Sequence, residues 1–373
     1  MLVVADINTL WRSRPFEALA ELTPVLGLAP QDRLAALRSY LLPWGTELCC
    51  RGRMETLRVV LPMRWASRRA EAALPVLWKA AQKTAAKLGQ TVRGFVATSP
   101  HYLPLCRQLR GEVPVLYYCS DDYRSYGGWA AEEMEQNEGE LVRMAAHSFF
   151  VSEELRLRAV AEYGVAESVT SVSMNATEDM FLTQAAGEQL AALMASEPRL
   201  KRPIVGVVGG VNDRLDFELL AQVSRLSSLG TLLFVGPVTK DARDKVAALV
   251  AGSSKVVKVG SQPHGLLPAW QQLLDVALIP YLACEFNRYC SPMRLFDHLA
   301  AGRPIIATSA CPQVKSFKPD VTVADGSSFV ASVAYALDQV PTRVSMRHRA
   351  KQETWNNRAA SMCERLFAGI IRN

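Results

Sequence analysis

Short apolar segments rich in β-branched residues recur along the chain, and segments with helical periodicity separate most of them. In the first half this pattern predicts strands at Met1–Asp6, Leu57–Leu61, Val92–Ala97, Val113–Tyr118, Ser148–Val151 and Val169–Val172. In the second half it predicts strands at Pro203–Val208, Thr231–Val235, Lys255–Val259, Val276–Ile279, Pro304–Ala307 and Val321–Ala324. Strands that alternate with helices are typical of parallel sheets with helices on both faces. The chain is therefore predicted to be an α/β protein.

The length of 373 residues exceeds one ordinary core and fits two domains. Helices are predicted at Arg68–Lys87 and Trp129–Ala145, and a polar, Ala-rich helix and linker at Thr183–Arg202. We therefore predict doubly wound domains at residues 1–182 and 183–346. The segment 347–373 has helical periodicity with no strand after it, and is predicted to pack at the domain junction, outside the second sheet. Ligands of such sheets bind at the carboxyl ends of the strands.

The composition is that of a globular protein, with 49% hydrophobic and 21% charged residues. The apolar runs are too short to span a bilayer, and the first residues do not resemble a signal peptide, so a cytoplasmic location is expected. Eight cysteines lack C-x-x-C and zinc-ligand spacing, so no metal is expected. Buried free thiols are the simplest interpretation; a reactive Cys119 or Cys290 near a site is the alternative.

The net charge of +6 is unevenly distributed. Residues 1–110 carry 16 basic and 7 acidic side chains, residues 111–182 carry 4 and 14, and residues 183–373 carry 22 and 15. The basic first segment indicates either an anionic partner or a solvated surface. Within it, Arg64–Lys87 interleaves aromatic and basic residues, as would suit either a helix on an anionic membrane or a domain helix with one apolar face. No nucleic-acid partner is expected, because the aromatic platform of such sites is missing.

Two segments of the second half carry candidate binding chemistry. In Val205–Val223 a strand runs into Gly209-Gly210, whose amides could approach an anion, although a plain turn is the alternative. Arg214 follows that loop, either as a phosphate ligand or as a surface residue. In Tyr281–Ser309 a helix is predicted to begin at Ser291-Pro292, with Met293 in its first turn, and to end at Gly302. Arg294 and Asp297 lie one turn apart on this helix. Either Arg294 binds a diphosphate and Asp297 a ribose, or the two form an ion pair on the surface.

The string S-P-M-R-L-F-D-H-L-A-A-G-R-P-I-I-A resembles the signature P-x-K-x-x-E-x-L-A-x-G-x-P-V-V-A of GT-B glycosyltransferases. Three further segments are similar to motifs of this group and occur in the same order, namely Tyr117–Asp122, Ser152–Leu155 and Asn175–Phe181. The resemblance covers residues 95–365 and is closest to the bacterial exopolysaccharide type, including xanthan glucuronosyltransferase and teichuronic-acid glycosyltransferases.

The resemblance implies a GT-B fold with two Rossmann-like domains and an interdomain cleft. It implies transfer of a sugar, here a hexose, from a nucleotide-diphosphate donor such as a UDP-sugar to a lipid-linked or saccharide acceptor in polysaccharide or glycolipid biosynthesis. The acceptor would bind the first domain, and the enzyme would be cytoplasmic or peripheral on the inner face of the membrane. The donor residues it implies are Gly209, Gly210, Arg214, Gly260, Ser291, Pro292, Met293, Arg294 and Asp297.

The chain departs from the pattern at three positions, with Arg294 in place of Lys, Asp297 in place of the second Glu, and Tyr289 in place of the first Glu of retaining members. Cys119-Ser120-Asp121 instead fits the strand end that carries the base of the xanthan type. We therefore expect an inverting reaction with Asp121 as general base and Arg294 stabilising the leaving group. No D-x-D loop is evident, so no metal or other cofactor is expected.

Other residues near these positions have more than one interpretation. Asp122 is expected to orient Tyr123 or a neighbouring backbone group, and His298 to pack within its helix. His101 is either a second base or acceptor ligand, or an ordinary loop histidine. Competing functions are a GT-B epimerase, a phosphorylase, for which no pyridoxal lysine is evident, and a catalytically degenerate GT-B scaffold.

Overall fold

The computed structural model describes residues 1–33, 36, 45–127, 130–339 and 344–369. The chain divides into two compact units. The first comprises Met1–Asn175 together with the chain from Trp355, and the second comprises Ala176–Thr354. The change of unit therefore falls seven residues before the predicted domain boundary at 182/183. Of the segment 347–373, predicted to pack outside the second sheet, the part from Trp355 belongs to the first unit and the part up to Thr354 to the second.

Eight strands form one sheet in the described part of the first unit, in the order β3-β4-β2-β1-β5-β6-β7-β8. Their bounds are β1 Leu2–Val4, β2 Val25–Asp32, β3 Thr46–Arg51, β4 Met54–Leu61, β5 Gly94–Ala97, β6 Val115–Cys119, β7 His147–Phe150 and β8 Thr170–Val172. All pairs are parallel except β3 with β4. Strand order reverses between β1 and β5, which makes their carboxyl ends the place where a ligand is expected.

Six helices of this unit precede Asn175 among the described residues: α1 Leu10–Leu19, α2 Trp65–Arg68, α3 Ala70–Lys87, α4 Leu103–Leu109, α5 Ala131–Met144 and α6 Glu153–Tyr163. Trp129, where α5 was predicted to begin, lies outside the described residues. Leu77 and Trp78 of α3 are buried, and the Trp78 ring meets Phe95 edge-on at 5.7 Å. The aromatic part of the predicted membrane helix therefore belongs to the core, and its solvent face is the lysine row Lys79, Lys83 and Lys87.

The second unit has a six-stranded parallel sheet in its described residues, in the order β11-β10-β9-β12-β13-β14. Its strands are β9 Ile204–Val208, β10 Thr231–Val235, β11 Val256–Gly260, β12 Val276–Ile279, β13 Ile305–Ala307 and β14 Val321–Val323. Every residue of β9, β10, β12 and β13 is buried, as expected for strands covered on both faces, whereas the edge strands β11 and β14 are partly exposed. The order reverses between β9 and β12.

The helices of the second unit within the described residues are α7 Asp179–Leu182, α8 Gly187–Ser196, α9 Phe217–Ser224, α10 Arg243–Gly252, α11 Leu267–Leu273, α12 Glu285–Tyr289, α13 Met293–Ala301, α14 Gly326–Asp338 and α15 Val344–Ala350. Leu219, Leu220 and Val223 of α9 pack on the sheet with Phe329 and Val333 of α14. Helix α13 ends at Gly302, whose φ of 67° is left-handed, as predicted.

The last helix, α16 Trp355–Gly369, packs against α1 of the first unit. The Arg358 guanidinium donates from Nε to the carbonyl of Met174 at 3.2 Å. This bond connects the helix to the residues that follow β8. Ile371, where this helix was predicted to end, lies outside the described residues. No helix in the described ranges is both long and apolar enough to span a bilayer.

Candidate functional site

A glycine loop follows β9 at the carboxyl edge of the second sheet. Gly209 has a φ of 114°, which an L-residue rarely adopts, and its amide donates to the carbonyl of Val235 at 2.8 Å. A Cβ atom on Gly236, at the end of the neighbouring strand, would lie 2.0 Å from the Gly209 oxygen. Both positions therefore require glycine, and the two strand ends come closer than side chains would allow.

Arg294, in the first turn of α13, contacts this loop directly. Its Nη2 donates to the carbonyl of Gly210 at 2.7 Å, and its Cζ lies 5.4 Å from the centre of the Tyr281 ring. The side chain is buried, with Arg294 only 9% exposed, and Nη1 has no hydrogen-bond partner among the described residues. A buried guanidinium N–H without an acceptor is costly, so this group is suited to receive an anion.

Asp297 lies one turn further along α13 and has a different partner. Thr177 donates to its Oδ1 at 2.9 Å. Burial raises the pKa of Asp297 to about 7, with the hydrogen bond from Thr177 acting against that shift. Arg294 and Asp297 therefore do not form the surface ion pair that their spacing also allowed. Near neutral pH, Asp297 exchanges between a protonated and an ionised carboxyl group.

The remaining predicted donor residues are distributed around this edge. The Arg214 guanidinium lies 3.6 Å from the centre of the Phe286 ring, and the Gly260 carbonyl accepts from the Gly236 amide at 2.8 Å. Ser291 and Pro292 are buried, whereas Met293 is half-buried. Pro292 is the N-cap of α13, and no side chain caps that helix end. The helix thus begins one residue later than predicted.

Tyr289 and His298 are two other side chains of this region for which the sequence suggested a position or role. Tyr289 is 8% exposed, and the Arg288 guanidinium carbon lies 5.4 Å from its ring centre. His298 is completely buried, and burial lowers its pKa to about 3, so its ring is neutral. Its position in the core of α13 agrees with the expectation that it packs within its helix.

In the first unit the predicted base follows β6. Asp121 is 8% exposed, and its Oδ2 accepts from the hydroxyl of Tyr126 at 2.6 Å. Asp122 instead accepts from Nη1 of Arg158 at 2.7 Å and from the Ser125 hydroxyl. Burial opposes ionisation of Asp122, but the Ser125 hydrogen bond and the Arg158 charge outweigh it and lower its pKa. Asp122 is therefore engaged in an internal ion pair. Tyr123, which it was expected to orient, is completely buried.

A buried network beneath this loop was not predicted from the sequence. Glu138 is 1% exposed and accepts from the hydroxyls of Tyr117 at 2.6 Å and Tyr163 at 3.0 Å. It also accepts from Nη2 of Arg158 at 3.2 Å, while Nη1 of the same side chain holds Asp122. A carboxylate with this many donors is well compensated for burial. The network fixes the segment that carries Asp121.

Asp6 and Arg12, which the sequence analysis also missed, lie at the carboxyl end of β1. Asp6 has a left-handed φ of 53°, pairs with the Arg12 guanidinium, and accepts from Asn8 Nδ2 at 3.0 Å. Arg12 Nε donates to the hydroxyl of Ser120 at 3.4 Å, next to Asp121 in the chain. Burial lowers the pKa of His101 to about 4; the Asp6 charge opposes the shift and the Arg12 charge supports it. His101 is therefore neutral at physiological pH.

Comparison with known proteins gives one partial sequence match and solved structures of the same fold. No protein-family model matches the chain. A stretch of 160 residues is 28% identical to a Bacillus subtilis protein that carries the provisional name teichuronic acid biosynthesis glycosyltransferase TuaH. That stretch covers 41% of this chain and 40% of TuaH. The match therefore spans well under half of either protein.

Solved structures match over almost the whole chain. Anabaena Alr3699/HepE in complex with UDP is 12% identical, with a TM-score of 0.74 and 98% of both chains covered. Sucrose-phosphate synthase from Thermosynechococcus elongatus is 17% identical, with a TM-score of 0.73 and 97% of both chains covered. Both are GT-B proteins. The chain has the GT-B fold. The predicted fold class is thereby confirmed.

The comparisons also confirm the resemblance to GT-B glycosyltransferases and to the teichuronic-acid type, whereas the likeness to the xanthan enzyme stays a prediction. Within the GT-B fold, the residues identified from the motifs divide between two sheets. The loop at Gly209 and Arg294 lie on the second unit, and Asp121 lies on the first. Gly209 follows β9, next to the point where the order of the second sheet reverses, whereas Asp121 follows β6, one strand beyond the reversal between β1 and β5.

Proposed function

We propose that this chain is a glycosyltransferase that moves a hexose from a UDP-sugar to a lipid-linked or saccharide acceptor in polysaccharide or glycolipid biosynthesis. The names and bound ligands of two similar proteins support this assignment. TuaH is named as a teichuronic acid biosynthesis glycosyltransferase, and HepE was solved with UDP and with UDP-glucose. A further GT-B structure, a trehalose-phosphate synthase from E. coli, was solved with UDP-2-fluoro glucose.

The observation in this chain that carries the proposal is the state of Arg294. Its guanidinium is buried beside the glycine loop, with one nitrogen bonded to Gly210 and Nη1 without an acceptor. Helix α13 begins at Met293, and the amides of its first turn add a partial positive charge. A diphosphate would supply the acceptor that Nη1 lacks and would meet the helix end at the same time.

In the proposed reaction, Asp121 takes the proton of the acceptor hydroxyl. The hydroxyl oxygen then bonds to the anomeric carbon as the bond from that carbon to the diphosphate breaks, with inversion. Tyr126 donates to Asp121 Oδ2 and fixes the direction of the carboxylate. Arg294, the first-turn amides of α13 and the Gly210 amide stabilise the charge that develops on the leaving UDP, whereas the Gly209 amide is bonded to Val235. Because protein groups supply this charge, we expect activity without a divalent cation or other cofactor.

We further propose that the enzyme associates peripherally with the inner face of the membrane. The support is the exposed row of Lys79, Lys83 and Lys87 on α3, spaced one turn apart. Because the aromatic residues of that helix are in the core, the attraction would be electrostatic. Binding to anionic vesicles should then disappear at high salt, and salt-resistant binding would contradict this model.

Thermal unfolding with UDP, GDP and ADP tests the assignment first. A ligand at about 100 times its Kd stabilises the folded state by about 2.7 kcal/mol. UDP should therefore raise Tm clearly above that of the free protein, and the failure of all three nucleotides to do so would refute nucleotide binding. A screen of radiolabelled UDP-sugars against lipid extracts then separates an enzyme from a scaffold. A scaffold that kept the donor site would show the Tm shift but transfer no label.

A further inference from the structure

Two buried cysteines of the second unit lie against each other beside α13. The sulfur atoms of Cys290 and Cys311 are 3.9 Å apart. Cys290 follows α12 and directly precedes Ser291, and Cys311 follows β13. The Cys311 thiol also donates to the backbone carbonyl of Cys290 at 3.5 Å. The two thiols thus connect the segment before α13 to the segment after the next strand.

This separation is an ordinary contact distance between unbonded sulfurs, whereas a disulfide has an S–S bond of about 2.0 Å. Closing the pair therefore requires a shift of about 2 Å, shared between side-chain rotation and the two loops. Cys290 is 8% exposed and Cys311 is 1% exposed, so Cys290 is the more accessible sulfur. Cys284, the nearest other thiol in the sequence, is exposed.

We propose that Cys290 and Cys311 are a redox modification site that closes to an intramolecular disulfide by exchange with a small disulfide such as oxidised glutathione. The Cys290 thiolate attacks oxidised glutathione, forms a mixed disulfide and releases one glutathione. The Cys311 thiolate then attacks the Cys290 sulfur and releases the second glutathione. Two thiols are oxidised, one glutathione disulfide is reduced to two thiols, and the two protons pass to the released glutathiones.

Closure should also affect the donor site, a consequence that rests on the proposed function. Cys290 is bonded to Ser291, and Arg294 lies one helical turn beyond it. Drawing Cys290 toward Cys311 moves the amino end of α13 relative to the loop at Gly210, where Arg294 is bonded. We expect the UDP Kd to rise about tenfold, the effect of losing one hydrogen bond.

Peptide mapping of the native wild-type protein after incubation with oxidised glutathione tests the bridge. The expected result is a peptide pair joined through Cys290 and Cys311, with the loss of two hydrogen atoms. Cys284→Ser should still form it, and Cys311→Ala should give a glutathione adduct on Cys290 instead. A Cys284–Cys290 bridge would overturn the proposal. So would free or glutathionylated Cys290 and Cys311 after the exposed thiols have been fully modified.

Titration of UDP against reduced, oxidised and re-reduced protein tests the coupling. The oxidised form should bind more weakly, and dithiothreitol should restore the original Kd. Equal Kd values for a fully bridged and a reduced sample would overturn the coupling. If the reduced protein binds no UDP, the proposed function fails, while the mapped bridge still decides the redox site.

Discussion

Replacing Arg294 by Met tests whether its buried guanidinium holds a donor phosphate. Met keeps an unbranched side chain of similar length and removes the charge and all donors. The change deletes the Nη2 bond to Gly210, which stabilises the free protein, and also the Nη1 group that has no partner in the described structure. The first loss lowers the free energy of unfolding and the second raises it, whereas both losses weaken anion binding.

The sizes of these effects can be worked from the contacts. Losing the bond to Gly210 costs about 1.5–3 kcal/mol, and removing an unsatisfied buried donor returns about 1–3 kcal/mol. The free energy of unfolding of the free protein should therefore change by no more than about 2 kcal/mol. Binding is different, because truncating one partner of a buried charge pair costs about 2–5 kcal/mol. At about 1.4 kcal/mol for each factor of ten, the UDP Kd should rise at least about 30-fold.

Isothermal titration with UDP and denaturant unfolding without ligand measure the two effects separately. Arg288→Met is the matched control, because that side chain is 61% exposed and lies on the preceding helix. It has a long ion pair with Glu285 and a contact with the Tyr289 ring but, within the described residues, no side-chain bond to the glycine loop. Arg294→Lys should keep much of the affinity, since it retains the charge. A wild-type UDP Kd in Arg294→Met, or an equal loss in Arg288→Met, would refute the assignment.

Three further predictions concern the other site residues. Gly209→Ala should lower the free energy of unfolding by about 1–3 kcal/mol, because the φ of Gly209 is 114°. Gly210→Ala should not lower it, because the added Cβ would meet nothing within 4 Å. Equal unfolding midpoints for the two variants would contradict this prediction. Asp121→Asn should lower kcat by about 100-fold or more with little change in UDP Kd, and wild-type turnover would remove it as base. The pKa of Asp297 is raised to about 7, so its carboxylate forms as the pH rises through that value. If this carboxylate accepts from the ribose hydroxyls, as the motif predicts, UDP affinity should grow about tenfold between about pH 6 and 8. Asp297→Asn leaves only the titration of UDP itself, and identical pH profiles would exclude this role.

The strands that could be predicted are those with local, uninterrupted apolar runs. β9, β10 and β12 are buried on both faces, and their sequences show it. β2 was missed because Gly27 and Pro30 interrupt its pattern, although it lies between β1 and β4 and is stabilised by pairing on both sides. β3 was missed because it is a mostly exposed edge strand, where polar and apolar positions are not separated.

The candidate site residues also differ in whether neighbouring sequence is enough to predict them. Gly209 and Arg294 were found because a strand-loop-helix motif is contiguous in sequence. Arg12 reaches Ser120 across 108 positions, and Glu138 meets Tyr163 across 25, so no local pattern could bring them together. Asp6 was within reach of a general rule, because an acidic residue just after the first strand occupies a carboxyl edge.

The replacement of the signature lysine by Arg294 argues against a degenerate scaffold. A guanidinium is a rigid fork of donors, so one nitrogen can hold Gly210 while another is presented to a second acceptor. A protein without a ligand at this edge would gain nothing from Nη1, which costs about 1–3 kcal/mol when buried without an acceptor, and an apolar side chain would serve it better. Tyr289 fits the same reasoning, because a buried ring at the position of the retaining carboxylate cannot supply that charge. The proposed transfer would then need its base from another residue, which is the role proposed for Asp121.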